Sequence, residues 1–481
     1  MLCPHCSQDI PINQQYCPVC GKKVEVDLQD IENSVAVDVA ERRGKMLGRI
    51  LINAIGALAV LWVVLMLYND YYRQEKLAGD RSGSFCFSAP SPEIKDENRL
   101  EVKLGAPVVP VPEIPRVEPR GMSWRRDPFR EKLRALGAGD QTQDAAGCVA
   151  AGLKFLASRQ QKDGGWLISG DEGGNPTYDW GRCGVTALAC LAFLGDGHAW
   201  GVEGDDKDPY AASVRKGIAY LVGQQDASGR FGPKEAPGGI VPHYMYNQGM
   251  ATAAVAEAYA MTGEPELRRA AEKAVQYILK AQQSTGQSVG GWDYYELPAT
   301  RADSSVTVWQ LMALYSARQA GLKVPAEIFD RGLAFVDRMT DRESFRVGYD
   351  RPWTSSEGVG NGSTAIALML QLYLGRSPSS VSVRRQARLL LAESLPAYDP
   401  KWSAADKAGK VDYYTGYHAA MAMQRLGGKD WELWNKSMVK ALKAAQDSKG
   451  CWSADKWTKS GGRIYSTAMA VLTLEVYYRY Q

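Results

Sequence analysis

Four cysteines near the start of the chain have the type and spacing to hold a metal ion. Cys3-Pro-His-Cys6 is followed, after ten residues, by Cys17-Pro-Val-Cys20-Gly. Two such knuckles offer four thiolates to a tetrahedral Zn²⁺, and Gly21 supplies the tight turn that aims backbone N–H groups at the sulfurs. So short a segment buries no core, so the metal would supply its folding free energy. With all four ligands from protein the site is closed, which makes the expected zinc structural rather than catalytic. The symmetry of the knuckles argues against disulfides or a redox pair, and His5, inside a knuckle, reads as a bystander. The other five cysteines, Cys86, Cys148, Cys183, Cys190 and Cys451, are scattered singly and read as buried small hydrophobes.

A second set of chemically able residues gathers where apolar segments begin. Asp303 opens the run Ser304–Ala320, and Asp179, Arg182, Asn247, Gln248, Asn361, Asp412 and His418 hold similar places. A carboxylate there is stabilised by the helix dipole and by capping. Asp303 therefore reads first as an N-cap and second as a functional acid. His243 and His418 read first as structural histidines. Trp180, Trp309, Tyr414, Tyr417 and Tyr465 lie at or near the same segments, as do Tyr246 and Tyr413. They could wall a cavity that holds an isoprenoid or steadies a carbocation, or they could be packed core.

The elements that must position these groups are two kinds of helix. One kind is amphipathic: Ala145–Gln161, Ala211–Gln225, Pro265–Gln283, Ala326–Met339, Val381–Glu393 and Asp430–Gln446. The other is apolar all round: Gly181–Leu194, Asn247–Met261, Ser304–Ala320, Gly362–Leu374, Tyr414–Leu426 and Tyr465–Tyr478. The first belongs outside and the second within. Alone, each hairpin would expose its apolar face, so the pairs must stack, and six can close a ring. The outer helices end in a repeated turn: Gln160…Gly164-Gly-Trp166, Gln225…Gly229-Arg-Phe231 and Gln446…Gly450-Cys-Trp452, with Gln283 to Trp292 as a longer version. Glycine ends the helix in a left-handed turn, the amide satisfies freed backbone groups, and the aromatic packs on the neighbouring hairpin. The turns near Tyr349 and Trp402 are degenerate.

These spaced motifs resemble the QW-type repeats of squalene–hopene cyclases and of protein prenyltransferase β-subunits. More closely, the segments Asp303–Ala317 and Gly462–Tyr480 look like membrane-attached cyclase-like repeat proteins of bacteria. The resemblance covers residues 144–481 and implies an all-α, (α/α)6 toroid whose inner helices line a central cavity. It does not carry the chemistry across. The DxDD acid motif of class II cyclases and the DDxxD motif of ionisation-type synthases are absent. Asp303 stands where a prenyltransferase zinc ligand would, but no suitably placed Cys follows it, and His418 lies four residues beyond the position wanted.

The remainder sets the context. Residues 25–47 are a polar linker. The uncharged run Ile50–Tyr68 is long enough to cross a bilayer core, predicting one transmembrane helix over 48–69. Residues 70–142 read as a Pro-rich spacer, and the toroid as 143–481. Arg42, Arg43, Lys45 and Arg49 precede the span, which favours a cytoplasmic N-terminus. The expected location is thus a bacterial inner membrane with the toroid in the periplasm. At 45% hydrophobic and 23% charged residues the chain is globular in composition. A net charge of +3, from 57 basic and 54 acidic residues, gives no reason to expect nucleic acid. The expected function is a membrane-anchored scaffold binding a hydrophobic ligand or a protein. The alternatives are a divergent terpene cyclase using Asp303, and a polysaccharide-binding or lyase-like toroid.

Overall fold

The computed structural model describes Met122, Arg125 and residues 129–480, apart from 169–175, 202–204, 234–242, 297–300, 355–360, 404–410 and 453–457. The expected zinc ribbon with Cys3, Cys6, Cys17 and Cys20, the transmembrane helix and Cys86 lie outside these residues.

A short helix α1 (Phe129–Ala138) comes first. Twelve more follow: α2 (Thr142–Arg159), α3 (Arg182–Gly195), α4 (Ala211–Gly223), α5 (Tyr244–Thr262), α6 (Pro265–Ala281), α7 (Ser304–Gln319), α8 (Ala326–Met339), α9 (Asn361–Tyr373), α10 (Val381–Glu393), α11 (Tyr413–Leu426), α12 (Gly428–Ala445) and α13 (Thr458–Leu474). Starts and stops follow local chemistry. Pro265 sits in the first turn of α6, where its missing N–H costs nothing. Asp303 and Asp412 cap α7 and α11, and Gly263 ends α5 in a left-handed conformation.

The two helix classes separate as their sequences require. In α6 the buried residues are Leu267, Ala270, Ala271, Ala274, Val275, Ile278 and Ala281, one stripe at helical spacing. In α3 every residue from Cys183 to Gly195 is buried, and in α7 every residue from Ser304 to Ala317. The all-buried helices pack as a closed circuit, α3 on α5, α5 on α7, α7 on α9, α9 on α11, α11 on α13, and α13 back on α3. The amphipathic helices α2, α4, α6, α8, α10 and α12 lie outside them, α2 packing on both α12 and α13. This is a six-hairpin α/α toroid. Because each outer helix returns the chain, the inner helices all start at one rim and end at the other.

The repeated turn binds neighbour to neighbour. Gln160 Nε2 donates to Gly164 O at 2.9 Å and to Ser213 O, in the next outer helix, at 2.8 Å. Gln225 bonds Gly229 and Ala270 in the same way, and Gln446 bonds Gly450 and Cys148. The longer turn works through Gln282, bonded to Gly290 and Ile328, and not through Gln283, whose main chain pairs with Gly290 and Gly291. Trp166, Trp292 and Trp452 are fully buried, and their indole N–H groups cap Leu156, Ile278 and Leu442 carbonyls. The turn glycines Gly164, Gly229, Gly290 and Gly450 have φ from 85° to 94°. A Cβ at Gly450 would sit 2.4 Å from Ala151 O of the first outer helix, so glycine is needed for both conformation and approach. In the degenerate turn Val347 takes the aromatic's place, its N–H bonding Thr364 as that of Trp166 bonds Thr186. Gln386 of α10 reaches back to Phe345 O.

The toroid extends earlier than residue 143. Within the segment read as spacer, α1 packs on α2, and Met122 and Arg125 are fully buried. The last apolar helix also stops at Leu474 rather than Tyr478, and Val476–Tyr480 turns into the ring. There Arg125 Nη1 meets Glu257 at 2.7 Å, its Nη2 donates to Arg479 O at 2.7 Å, and Arg479 Nη2 meets Glu257 at 3.2 Å. Ser316 and Tyr480 hydroxyls donate to Glu257, each at 2.9 Å. Tyr315, Tyr373 and Tyr480 rings meet edge to face. Burial alone would lift the Glu257 carboxyl, but the two guanidiniums and Tyr480 hold it below its usual range. These groups come from α5, α7, α9 and both ends of the domain, so the end of the ring where the inner helices finish is plugged.

Candidate functional site

At the opposite rim the inner helices begin, and there Asp303 is the hub. It is fully buried. Its Oδ1 accepts from Ser305 N at 2.8 Å, Val306 N at 3.0 Å and Ser305 Oγ at 2.6 Å, so the capping role read from sequence is present. Its Oδ2 faces Arg301 Nη2 at 3.3 Å. The same guanidinium meets Asp293 at 2.8 Å and Asp350 at 3.0 Å and lies over the Tyr294 ring, 4.4 Å from its centroid. Three carboxylates thus share one cation. Burial raises the Asp303 pKa above its usual value, against the pull of Ser305, Tyr349 and two backbone N–H groups.

Tyrosine hydroxyls close over this group. Tyr246 meets Ser305 Oγ at 2.5 Å, Tyr294 meets Tyr349 at 2.6 Å, and Tyr414 donates to Ser305 O at 3.4 Å. Burial pushes the phenols of Tyr246, Tyr349 and Tyr414 well up, and nearby Asp303 adds to the shift, so all three stay protonated donors. His243 stacks on Tyr294 at 3.9 Å, with Trp180 5.6 Å away. Burial and then Arg301 lower its pKa, leaving it neutral.

Of the residues singled out by sequence, Asp303, Tyr414, Trp309, Tyr417 and His418 form one connected group. His418 Nδ1 donates to Tyr414 O at 2.8 Å, which fixes the proton on that nitrogen. Burial drives its pKa down to about 4, so it is a neutral structural histidine. Its ring meets Trp309 edge-on, and Trp309 stacks on Tyr417 with centroids 6.4 Å apart. Trp309, Tyr417 and His418 are at most 5% exposed, a packed layer below the rim. Asn247 clamps two helix starts, accepting from Gly184 N and donating to Trp180 O. Asp412 caps α11 through Thr415, and Asn361 accepts from Arg346. Tyr465 is 9% exposed within α13. Arg301, Ser305, Asp293, Tyr294 and Asp350 were not singled out, and Tyr349 was noted only for its degenerate turn. All but Ser305 lie in loops, where helical periodicity gives no signal. Among the described residues no cluster of His, Cys, Asp and Glu has metal-binding geometry.

No protein-family model and no curated protein matches the chain. Solved structures with distant likeness include an inactive variant of the α-1,6-mannanase GH76A of Salegentibacter sp. HEL1_6 in complex with α-1,6-mannotriose. It has 9% identity and a TM-score of 0.48, and the match covers 69% of this chain and 99% of that one. A family 76 glycoside hydrolase from a bovine Bacteroides thetaiotaomicron strain gives 12%, 0.49, 69% and 77%. A variant of the type II terpene cyclase MstE from Scytonema, in complex with geranylgeranyl dihydroxybenzoate, gives 13%, 0.42, 70% and 98%. These likenesses are remote, and the toroid stands on its own helix-to-helix packing.

Proposed function

We propose that the toroid is a binding module whose ligand seats on the rim around Arg301, and that the chain carries it tethered to a membrane. The observation behind this is the knot of Asp293, Asp303 and Asp350 on one guanidinium, roofed by Tyr294. Beside it Tyr349 is 41% exposed. Such a surface offers fixed donors, acceptors and an aromatic face in one place, the mixture that orients a polar ligand. The packed Trp309–Tyr417–His418 layer and the plug at Glu257 leave the axis of the ring filled, which favours a ligand lying on the rim over an isoprenoid held within. The uncharged run Ile50–Tyr68 would be the tether, with the zinc ribbon on the cytoplasmic side and the toroid in the periplasm.

The test is mass spectrometry of small molecules that co-purify with detergent-extracted full-length protein, beside Arg301→Ala and Tyr349→Ala. A polar compound present in the parent and lost in both variants is expected. A bound isoprenoid insensitive to both would overturn the reading. A second reading, acid catalysis of isomerisation by Asp303, is favoured by the burial that raises its pKa. Cyclised product from squalene, absent in Asp303→Asn, would establish it.

A further inference from the structure

This inference rests on the reading that the Asp303 rim is the working site, and it adds proton transfer to binding. Capping α7 needs one acceptor oxygen, and the backbone N–H groups of Ser305 and Val306 satisfy that need. The hydroxyls around Asp303 go beyond it. Ser305 Oγ donates to Oδ1 at 2.6 Å, and because its proton is so used, the Tyr246 hydroxyl at 2.5 Å donates to it. Tyr349 lies 3.5 Å from Ser305 Oγ and 2.6 Å from the Tyr294 hydroxyl. One end of this chain of hydroxyls is a fully buried carboxyl, and the other is a side chain 41% exposed.

We propose that Tyr294, Tyr349 and Ser305 form a relay through which the buried Asp303 carboxyl exchanges protons with water, so that it serves as a general acid–base group toward a ligand on the rim. In the acid direction the exposed Tyr349 hydroxyl gives its proton to a basic atom of the ligand and takes one from Ser305 Oγ, which takes the proton of the buried Asp303 carboxyl and leaves carboxylate. Recharging runs the other way: Ser305 gives its proton to that carboxylate and takes one from Tyr349, Tyr349 takes one from Tyr294, and Tyr294 takes one from water, which leaves as hydroxide. Each hydroxyl loses one O–H bond and gains one, no phenolate remains, and the co-reactant is water. Burial, which lifts the carboxyl toward the range where a general acid is effective, works in the same direction. Ser305 acts here between Asp303 and Tyr349 and is a positioning residue.

The test uses ligand-free full-length protein in detergent and the infrared carboxyl band of Asp303, assigned by its loss in Asp303→Asn. In the parent the band is expected to titrate above the ordinary aspartate range and to shift in D₂O as fast as mixing allows. Tyr349→Phe, which keeps the ring and its packing, is expected to slow that shift about tenfold or more, with unchanged helical content by circular dichroism. A carboxyl that titrates at or below the ordinary aspartate range, or that exchanges at the parent rate in Tyr349→Phe, overturns the relay. Co-purified ligand measured on the same proteins separates this from the binding proposal. Fast, Tyr349-dependent exchange without bound ligand sinks binding alone, and retained ligand with Tyr349-independent exchange sinks the relay alone.

Discussion

The side-chain amide of Gln446 donates to the carbonyl oxygen of Cys148 at 2.9 Å across 298 residues of chain. It is the same bond that Gln160 makes to Ser213, but made by the last hairpin to the first. Ring closure therefore uses the ordinary contact between neighbours, and one missing link should open the ring.

Trp452→Ala removes a fully buried indole at that link, and its cost should be about 3–5 kcal/mol. Gly450→Ala forces a side chain onto a left-handed backbone and against Ala151 O, and should cost on the order of 1–3 kcal/mol. Chemical denaturation of the two variants checks both figures, and parent-like midpoints would contradict the closure argument.

Glu257 joins two buried guanidiniums, so Glu257→Gln should destabilise the domain by about 3–5 kcal/mol. Its folded pKa is depressed. The stability it gives is thus present above its unfolded value and lost as pH falls through the folded one. Thermal unfolding should show an acid-side loss in the parent that is blunted in the variant.

His198 works in the opposite sense. Its Nδ1 lies 2.9 Å from Asp208 and its Nε2 3.5 Å from Asp196, which also binds Arg130, Arg134 and Tyr478. Burial would lower its pKa, but the two carboxylates raise it above the ordinary 6.5. Its contribution is complete below that value and fades as pH climbs through the raised one. His198→Gln should remove this alkaline slope from a stability profile, and a profile identical to the parent's would exclude the role.

The four N-terminal thiolates should bind one zinc per chain, measurable by atomic emission on protein purified without chelator. Cys17→Ser should release it, since a structural site with three thiolates binds far more weakly. Helical content should be unchanged, because the toroid has its own core.

The ring was legible because its helices differ so sharply in pattern. Ala326–Met339 and Val381–Glu393 follow from apolar spacing alone, and the glycine–aromatic turns mark where the other four outer helices stop. Helix Phe129–Ala138 was not legible: Arg130, Glu131, Lys132 and Arg134 interrupt its apolar positions, and it adjoins a proline-rich stretch. The same bias hid the plug. Arg125, Glu257 and Arg479 are charged residues that a sequence assigns to the surface, and only their mutual pairing makes burial tolerable. At the rim, Asp303 stood out by its place before an apolar run, whereas Arg301 and Tyr349 carry meaning only through the carboxyl they face.

The plug also has a consequence for synthesis. Arg125 and Arg479 meet across 354 residues, so a nascent chain can stack its hairpins in order but cannot seat Glu257 until Arg479 has left the ribosome. Until then a carboxylate waits without one of its two guanidiniums, at the slow extreme of loop closure. Ribosome-stalled chains lacking the segment after Leu474 should therefore be protease-sensitive throughout the ring, and this late step is where chaperones would find the protein.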